Sequence, residues 1–274
     1  MNVKELSEYL YDKVRLCPVG PTEYTSIVSI ILKYLGFNDV DIILDKQIDN
    51  PDYSTISNII CRLKANEPIQ YILSESYFMD LKLFVDKRVL IPRQETEEMV
   101  YNICKMDWSH KTIIDICTGS GCIALGLKYR YPSANIYGID ISSDTLEVAK
   151  YNSIINNLNV QWIQTDILLD IPQVHNVDLL IGNPPYIPNG DYVMKRVYDY
   201  EPHIALFVDN NDPLIFYRRI AIIANELLNK QGYLCLEIND KYSEAILDVF
   251  KEFKNVILQK DMNNKYRWVI CNIL

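Results

Sequence analysis

Apolar residues recur at steps of three and four through the opening of the chain, the spacing that gathers them on one side of a helix. Val3 to Val14 forms one such stretch. Tyr24, Ile27, Val28, Ile31, Tyr34 and Leu35 form another, with Thr22 ahead of it as an N-cap and Gly36 behind it as a stop. Tyr53 to Lys64 gives a third amphipathic stretch, and no strand-like alternation precedes about Tyr71. This pattern predicts an all-helical bundle over residues 1–72, a packing or substrate-recognition module without chemistry of its own.

The pattern then changes. Tyr77 to Val85 reads as two short strands with a turn near Asp80, and Ile91-Pro92-Arg93 ends an extended piece. Gln94-Glu95-Thr96-Glu97-Glu98 opens a helix whose acidic first turn suits the helix dipole. Residues 73–93 are therefore expected to be a β-hairpin linker, and residues 94–274 a second domain. From Thr112 onward strands and helices alternate. The expected strands are Thr112–Ile116, Ala134–Ile139, Val160–Gln164, Val177–Ile181, Tyr233–Ile238, Asn255–Gln259 and Arg267–Asn272. Helices such as Asp144–Asn156, Pro213–Leu228 and Lys241–Phe253 lie between them. Such alternation implies an α/β domain with a largely parallel sheet. The short turn from Asp261 to Lys265 allows only an antiparallel hairpin for the last two strands.

Composition narrows the function. Of 274 residues, 49% are hydrophobic and 23% charged, the balance of a folded chain. A formal net charge of −9 weighs against a protein that grips nucleic acid through its phosphates. The seven cysteines include no CxxC pair and the three histidines lie far apart, so neither a disulfide framework nor a metal site is expected. No apolar run approaches the ~20 residues of a membrane span. The charged opening residues do not read as a signal peptide, and a cytoplasmic location is expected.

Two loops carry candidate chemistry. The first follows strand Thr112–Ile116 and reads Asp115-Ile116-Cys117-Thr118-Gly119-Ser120-Gly121, with Asp140 ending the next strand. Glycines let the backbone turn tightly and approach a ligand, and open α/β sheets bind ligands at this end. Gly119-x-Gly121-x-x-Ala124 with a later acid also fits the dinucleotide fingerprint, so a nicotinamide or flavin enzyme is an alternative. Asp115 favours S-adenosyl-L-methionine, because a carboxylate suits a sulfonium and an amino group but repels a pyrophosphate. Asp140 could accept from ribose hydroxyls, and Asp166 or Ile167 could contact adenine. The plainer readings are an ordinary strand-to-helix turn, a helix-flanking acid and a loop-solvating Asp.

The second loop, Gly182-Asn183-Pro184-Pro185-Tyr186, ends the fourth strand of the α/β domain. The two prolines stiffen it, and its position beside the first strand should turn Asn183 toward the cofactor loop. An amide nitrogen is a poor nucleophile, because its lone pair is shared with the carbonyl. The Asn183 side-chain oxygen and the Pro184 carbonyl can each accept a hydrogen bond from a target NH2, aiming it and stabilising the charge that develops there. Tyr186 can pack its ring on a planar amide or base.

Taken together, Asp115–Ala124, Asp140-Ile141-Ser142, Asn183–Ile187 and Tyr200-Glu201-Pro202 resemble the peptide-chain release-factor glutamine N5-methyltransferases (PrmC/HemK). Glu67-Pro68-Ile69-Gln70-Tyr71, Leu90-Ile91-Pro92-Arg93 with Glu95-Thr96-Glu97, Leu236-Glu237-Ile238 and the Asp261 to Arg267 hairpin extend the resemblance over nearly the whole chain. It implies a class I Rossmann-like methyltransferase with a seven-stranded, mostly parallel sheet and an N-terminal helical domain. The substrate it implies is the glutamine of the Gly-Gly-Gln loop in class I release factors. Carried over, Asp115, Cys117, Thr118, Gly119, Ser120, Gly121, Asp140, Asp166, Ile167 and Asn183 serve the cofactor, and Asn183, Pro184, Pro185 and Tyr186 hold the glutamine. Cys117 departs from a usual Gly, Gln94 from a usual Pro, Lys241 from a common Gln, Asp212-Pro213-Leu214 from a usual Asp-Gly-Leu, and Asn263 from a usual turn Gly. The competing expectation is an amino-methyltransferase that applies the same Asn-Pro-Pro-Tyr logic to a flipped base.

Overall fold

Asn2 begins the first helix by reciprocal capping: its Oδ1 accepts from the Glu5 amide at 2.8 Å, and Glu5 accepts from the Asn2 amide at 2.9 Å. The computed structural model describes residues 1–273. They gather into two compact units, Met1–Glu75 with Met194–Tyr200, and Ser76–Val193 with the chain from Glu201 onward. The first unit holds α1 (Val3–Val14), α2 (Tyr24–Tyr34), α3 (Asp39–Ile43), α4 (Tyr53–Lys64) and α5 (Ile69–Leu73). Leu6, Leu10, Ile27, Ile31, Ile56 and Leu63 share its core, placed there by the three- and four-residue spacing of the sequence. Thr22 is not the cap of α2. Pro21–Glu23 forms a 3-10 turn, for which Pro21 is preset, and the Glu23 carboxylate accepts from the Gly20 amide at 3.1 Å. Later in the chain, Arg196 pairs with Glu23 at 2.6 Å and Tyr200 donates to the Ala65 carbonyl at 2.8 Å, which ties Met194–Tyr200 to this unit.

The second unit opens with a hairpin, β1 (Ser76–Phe78) and β2 (Leu81–Leu83). Met79 and Asp80 between them have φ of 47° and 65°, the left-handed pair that a tight hairpin turn requires. There follow α6 (Gln94–Ile103), β3 (Thr112–Ile116), α7 (Cys122–Arg130), β4 (Asn135–Asp140), α8 (Ser143–Ile155), β5 (Gln161–Gln164) and β6 (Val177–Gly182). Next come β7 (Ile187–Pro188), α9 (Lys195–Tyr200, in the first unit), α10 (His203–Leu206), β8 (Phe207–Val208), α11 (Ile215–Leu227), β9 (Leu228–Glu237), α12 (Ser243–Val249), β10 (Lys254–Lys260) and β11 (Tyr266–Asn272).

Seven strands form one sheet in the order β10-β11-β9-β6-β3-β4-β5. Only β11 runs against its neighbours, joined to β10 as a hairpin and inserted beside β9. This is the seven-stranded, mostly parallel sheet that the sequence led us to expect. Strand alternation divides the core: Ile113, Leu179 and Cys235 pack beneath α6 and α7, while Ile114, Ile116, Leu180 and Leu234 pack beneath α11 and α12. The chain runs outward from β3 through β4 to β5, then returns to β6 on the other side of β3. That reversal opens a crevice at the carboxyl ends of β3 and β6.

Several expected elements shift. The helix expected over Lys241–Phe253 is a 3-10 turn, Asp240–Tyr242, followed by α12, which stops at Val249. Asn239 Oδ1 accepts from the Lys241 amide and so caps the 3-10 turn rather than an α-helix. The helix expected from Pro213 starts at Ile215, and β9 starts five residues before Tyr233. In the final turn Asn264, with φ of 63°, holds the left-handed position anticipated at Asn263.

Candidate active site

Parallel neighbours β3 and β6 run in register with Ile116 opposite Gly182. Cys117 and Asn183 therefore leave the sheet side by side. The strands approach so closely here that a Cβ on Gly182 would lie 2.3 Å from the Ile116 carbonyl oxygen. Residue 182 must be glycine for the two loops to start at this spacing.

The loop after β3 is held by backbone geometry. Cys117, Gly119 and Gly121 have φ of 58°, 56° and 81°. Glycine adopts this region freely, whereas at Cys117 it costs about 1–2 kcal/mol. The Thr118 amide donates to Ile139 of β4 at 2.9 Å, and the Gly119 amide donates to Asp140 Oδ2 at 3.0 Å. Asp140 Oδ1 also accepts from the Ser142 amide at 3.1 Å, so this acid links the ends of β3 and β4.

Alternation along β3 turns Asp115 away from the crevice, to the face that carries Ile113 and α7. Its Oδ2 accepts from Thr118 Oγ1 at 2.5 Å and from the Ala124 amide of α7 at 3.1 Å. Its Oδ1 and the Ser120 hydroxyl are buried without a partner. Burial, with Asp140 nearby, pushes the Asp115 carboxyl up to about 7 against the pull of its two donors. Burial also raises Asp140. Of the two, Asp140 is the one on the crevice side, where a cationic ligand would relieve it.

A cavity of about 270 Å³ lies above these loops. Among the residues expected to serve a cofactor, Cys117, Thr118, Gly119, Ser120, Asp140, Asp166, Ile167 and Asn183 line it, as does Pro185. Asp115, Gly121, Pro184 and Tyr186 are not on its wall. Asp115 is a brace beneath the loop. Gly121 faces the packing side, where a Cβ would meet Trp162 at 2.8 Å. Asp166 Oδ1 accepts from the Leu168 amide at 2.9 Å, and Arg219 Nε donates to the Ile167 carbonyl at 2.7 Å, so both are fixed at the rim.

Distant side chains hold the loop after β6. Asn183 Nδ2 donates to Thr96 Oγ1 of α6 at 3.2 Å. Thr96 in turn donates to Glu237 Oε2 at 2.5 Å, and Tyr186 donates its hydroxyl to Glu237 Oε1 at 3.0 Å. Glu237 ends β9 and is 1% exposed. Burial pushes its carboxyl up, while the Thr96 and Tyr186 hydroxyls and Arg267 pull it back down. Tyr186, desolvated beside this carboxylate, is raised as well.

One wall of the cavity lies outside the site residues expected from the sequence. Arg88 to Arg93 and Thr96 line it, and Ile204, Ala205 and Phe216 also line the cavity. The buried Glu201 carboxylate fastens this wall, accepting from Arg93 Nη2 at 2.7 Å and the Ile91 amide at 3.2 Å. A Pro-Arg pair ending an extended segment and an acid next to Pro202 were the available signals. Among the described residues no group of three His, Cys, Asp or Glu could hold a metal ion, and no helix is long and apolar enough to cross a membrane.

Comparison with known proteins agrees with this geometry. Residues 96–198 match the methyltransferase small domain. A release factor glutamine methyltransferase of Flavobacterium psychrophilum is 36% identical over 262 residues, which is 91% of this chain and 92% of its own. That of Bacteroides thetaiotaomicron is 35% identical over 271 residues, covering 96% and 98%. That of Leptospira interrogans is 40% identical over 221 residues, covering 77% of each.

Proposed function

The chain belongs to the release factor glutamine methyltransferases, and on that premise we propose that it transfers a methyl group from S-adenosyl-L-methionine to the side-chain amide nitrogen (N5) of the glutamine in the Gly-Gly-Gln motif of class I peptide-chain release factors. The observation that carries the reading is the register of β3 and β6, which sets Asn183 beside the Cys117–Gly121 loop on one cavity.

The residues present fit the cofactor. The Ser120 hydroxyl is buried without a protein partner, and Asp140, on the cavity wall, is a carboxyl that a cation would relieve. When bound, S-adenosyl-L-methionine supplies an electrophilic methyl on a sulfonium. Asp140 would accept from the ribose hydroxyls, and Asp166, beside Ile167, would accept from the adenine amine. Asn183, Pro184, Pro185 and Tyr186 form the rigid loop that serves the substrate.

Asn183 presents Oδ1 to the cavity, because Nδ2 is committed to Thr96. Oδ1 and the Pro184 carbonyl each accept one N–H of the target amide. The two bonds fix the amide plane and favour the positive charge that grows on nitrogen during attack. Tyr186 supports the loop from below through Glu237 instead of stacking on the substrate from the cavity wall. In this reading the helical unit, residues 1–72, recognises the release factor, residues 73–93 link it to the catalytic domain of residues 94–274, and the reaction takes place in the cytoplasm.

Labelled S-adenosyl-L-methionine offered with purified release factor, and separately with nucleic acid, tests the proposal. The expected label sits on the Gly-Gly-Gln glutamine. Label in nucleic acid with none in release factor overturns it in favour of a base amino-methyltransferase.

A further inference from the structure

Two side chains behind the Asn-Pro-Pro-Tyr loop, Thr96 and Glu237, join Asn183 and Tyr186 in a network of three donors with one acceptor, Glu237, at its root. Glu237 accepts from Thr96 Oγ1 on one carboxylate oxygen and from the Tyr186 hydroxyl on the other. A carboxylate that accepts on both oxygens offers no proton to either neighbour. The single proton of the Thr96 hydroxyl is therefore spent on Glu237, and toward Asn183 its oxygen has only lone pairs. Only the NH2 end of the Asn183 carboxamide can satisfy them, as the 3.2 Å contact from Nδ2 records. The oxygen end is left for the cavity.

The two ends of a carboxamide are nearly equal in size, so sterics alone barely distinguish its two orientations. Chemistry distinguishes them sharply. With Oδ1 forward, Asn183 accepts from a substrate NH2. With Nδ2 forward, two donors would face each other. We propose that Glu237 and Thr96 are positioning residues that fix the orientation of the Asn183 carboxamide, and through it the choice of an NH2-bearing acceptor. The inference rests on the reading that Asn183 Oδ1 receives the target amide.

Several features agree. Thr96 is 2% exposed and Glu237 1%, so water does not compete for their bonds. The Tyr217 hydroxyl donates to the Glu237 backbone carbonyl at 3.0 Å, which holds the end of β9 in place. Arg267 lies near enough to draw the carboxyl toward ionisation, while its Nε donates to Asp261 at 3.0 Å. The network also joins three segments that meet only in the folded chain, α6, the loop after β6 and the end of β9.

Thr96→Val removes the hydroxyl and keeps the shape, whereas Thr96→Ser keeps the hydroxyl and loses the methyl. The test compares both, with Glu237→Gln, their double variant and Asn183→Ala, by kcat on release factor and by S-adenosylhomocysteine affinity. Thr96→Val is expected to lower kcat roughly 100-fold, the loss typical of a misaligned reacting group. Its S-adenosylhomocysteine affinity is expected to stay near the parent's, and Thr96→Ser is expected to recover most of the rate. Thr96→Val with Glu237→Gln is expected to be little slower than the slower single variant, because both act through one chain of bonds. Parent kcat in Thr96→Val, a Ser variant as slow as the Val variant, or losses that multiply in the double variant would each overturn the proposal. Asn183→Ala separates this failure from a failure of the functional reading. If it is inactive while Thr96→Val turns over normally, only the relay falls, and if it turns over normally, the reading of the site falls with it.

Discussion

The two loops that meet at this site are built on opposite principles. Neighbours in sequence and on the next strand shape the Cys117–Gly121 loop: three left-handed residues, a backbone bond to Ile139, and Asp140 holding the Gly119 amide. The Asn183–Tyr186 loop takes its stiffness from two prolines and its alignment from remote side chains, Thr96 lying 87 residues before Asn183 and Glu237 lying 51 residues after Tyr186. The difference follows the task. A cofactor with many polar groups is met by a cradle of backbone amides and acids, which a local turn supplies. A single amide nitrogen has to be met in one orientation, and a short rigid turn cannot set the rotation of its own Asn side chain.

If that contrast holds, changes in the two loops separate binding from turnover. The largest effect is expected from Asn183→Ala. Removing one of two aligning acceptors should lower kcat about 100- to 1,000-fold, the range seen when a single group that stabilises transition-state charge is lost. Calorimetry with S-adenosylhomocysteine should find cofactor affinity largely spared. Next, Asp140→Ala removes the acceptor that holds Gly119 and faces the cavity, and it should weaken S-adenosylhomocysteine about 10- to 100-fold, as expected for lost bonds to a charged group. Its kcat at saturating cofactor should fall far less. Equal losses of affinity and kcat in both variants would dissolve the distinction between the loops.

Gly182→Ala probes what the loops share. A Cβ placed 2.3 Å from the Ile116 carbonyl forces β3 and β6 apart, at a cost of about 1–3 kcal/mol by denaturant unfolding. Both cofactor affinity and turnover should decline with it. The last effect concerns pH. Asp115 has a folded value of about 7 against an ordinary 3.8. A raised carboxyl stabilises the fold fully below its unfolded value, and that contribution is lost as pH rises through the folded one. The thermal midpoint of the parent should therefore fall, relative to Asp115→Asn, between about pH 4 and pH 7. Parallel curves across that window would contradict the buried, protonatable brace.

The same contrast explains what the sequence made legible. The cofactor loop, its glycines, Asp140 and the strand–helix alternation are local, and they sit where the pattern placed them. The Asn183-Pro184-Pro185-Tyr186 turn was visible because prolines announce stiffness wherever they occur. The face taken by Asp115 was not, because an acid at a strand end reads as a ligand until the sheet shows which side α7 covers. Nor was the partnership of Thr96 with Glu237: one was read as part of an acidic helix start, the other only as part of Leu236-Glu237-Ile238 in the expected strand Tyr233–Ile238, and only the β6–β9 pairing and the packing of α6 bring them together. The Thr22 cap failed for a local reason: Thr22 lies inside the Pro21–Glu23 3-10 turn and so lacks the extended backbone of an N-cap.

The most direct test of the account is a crystal structure with S-adenosylhomocysteine and a peptide carrying the Gly-Gly-Gln segment. The expected result places the glutamine amide nitrogen within about 2.7–3.2 Å of both Asn183 Oδ1 and the Pro184 carbonyl, facing the cofactor sulfur. A glutamine bound elsewhere, or an Asn183 that turns Nδ2 toward it, would contradict the central claim.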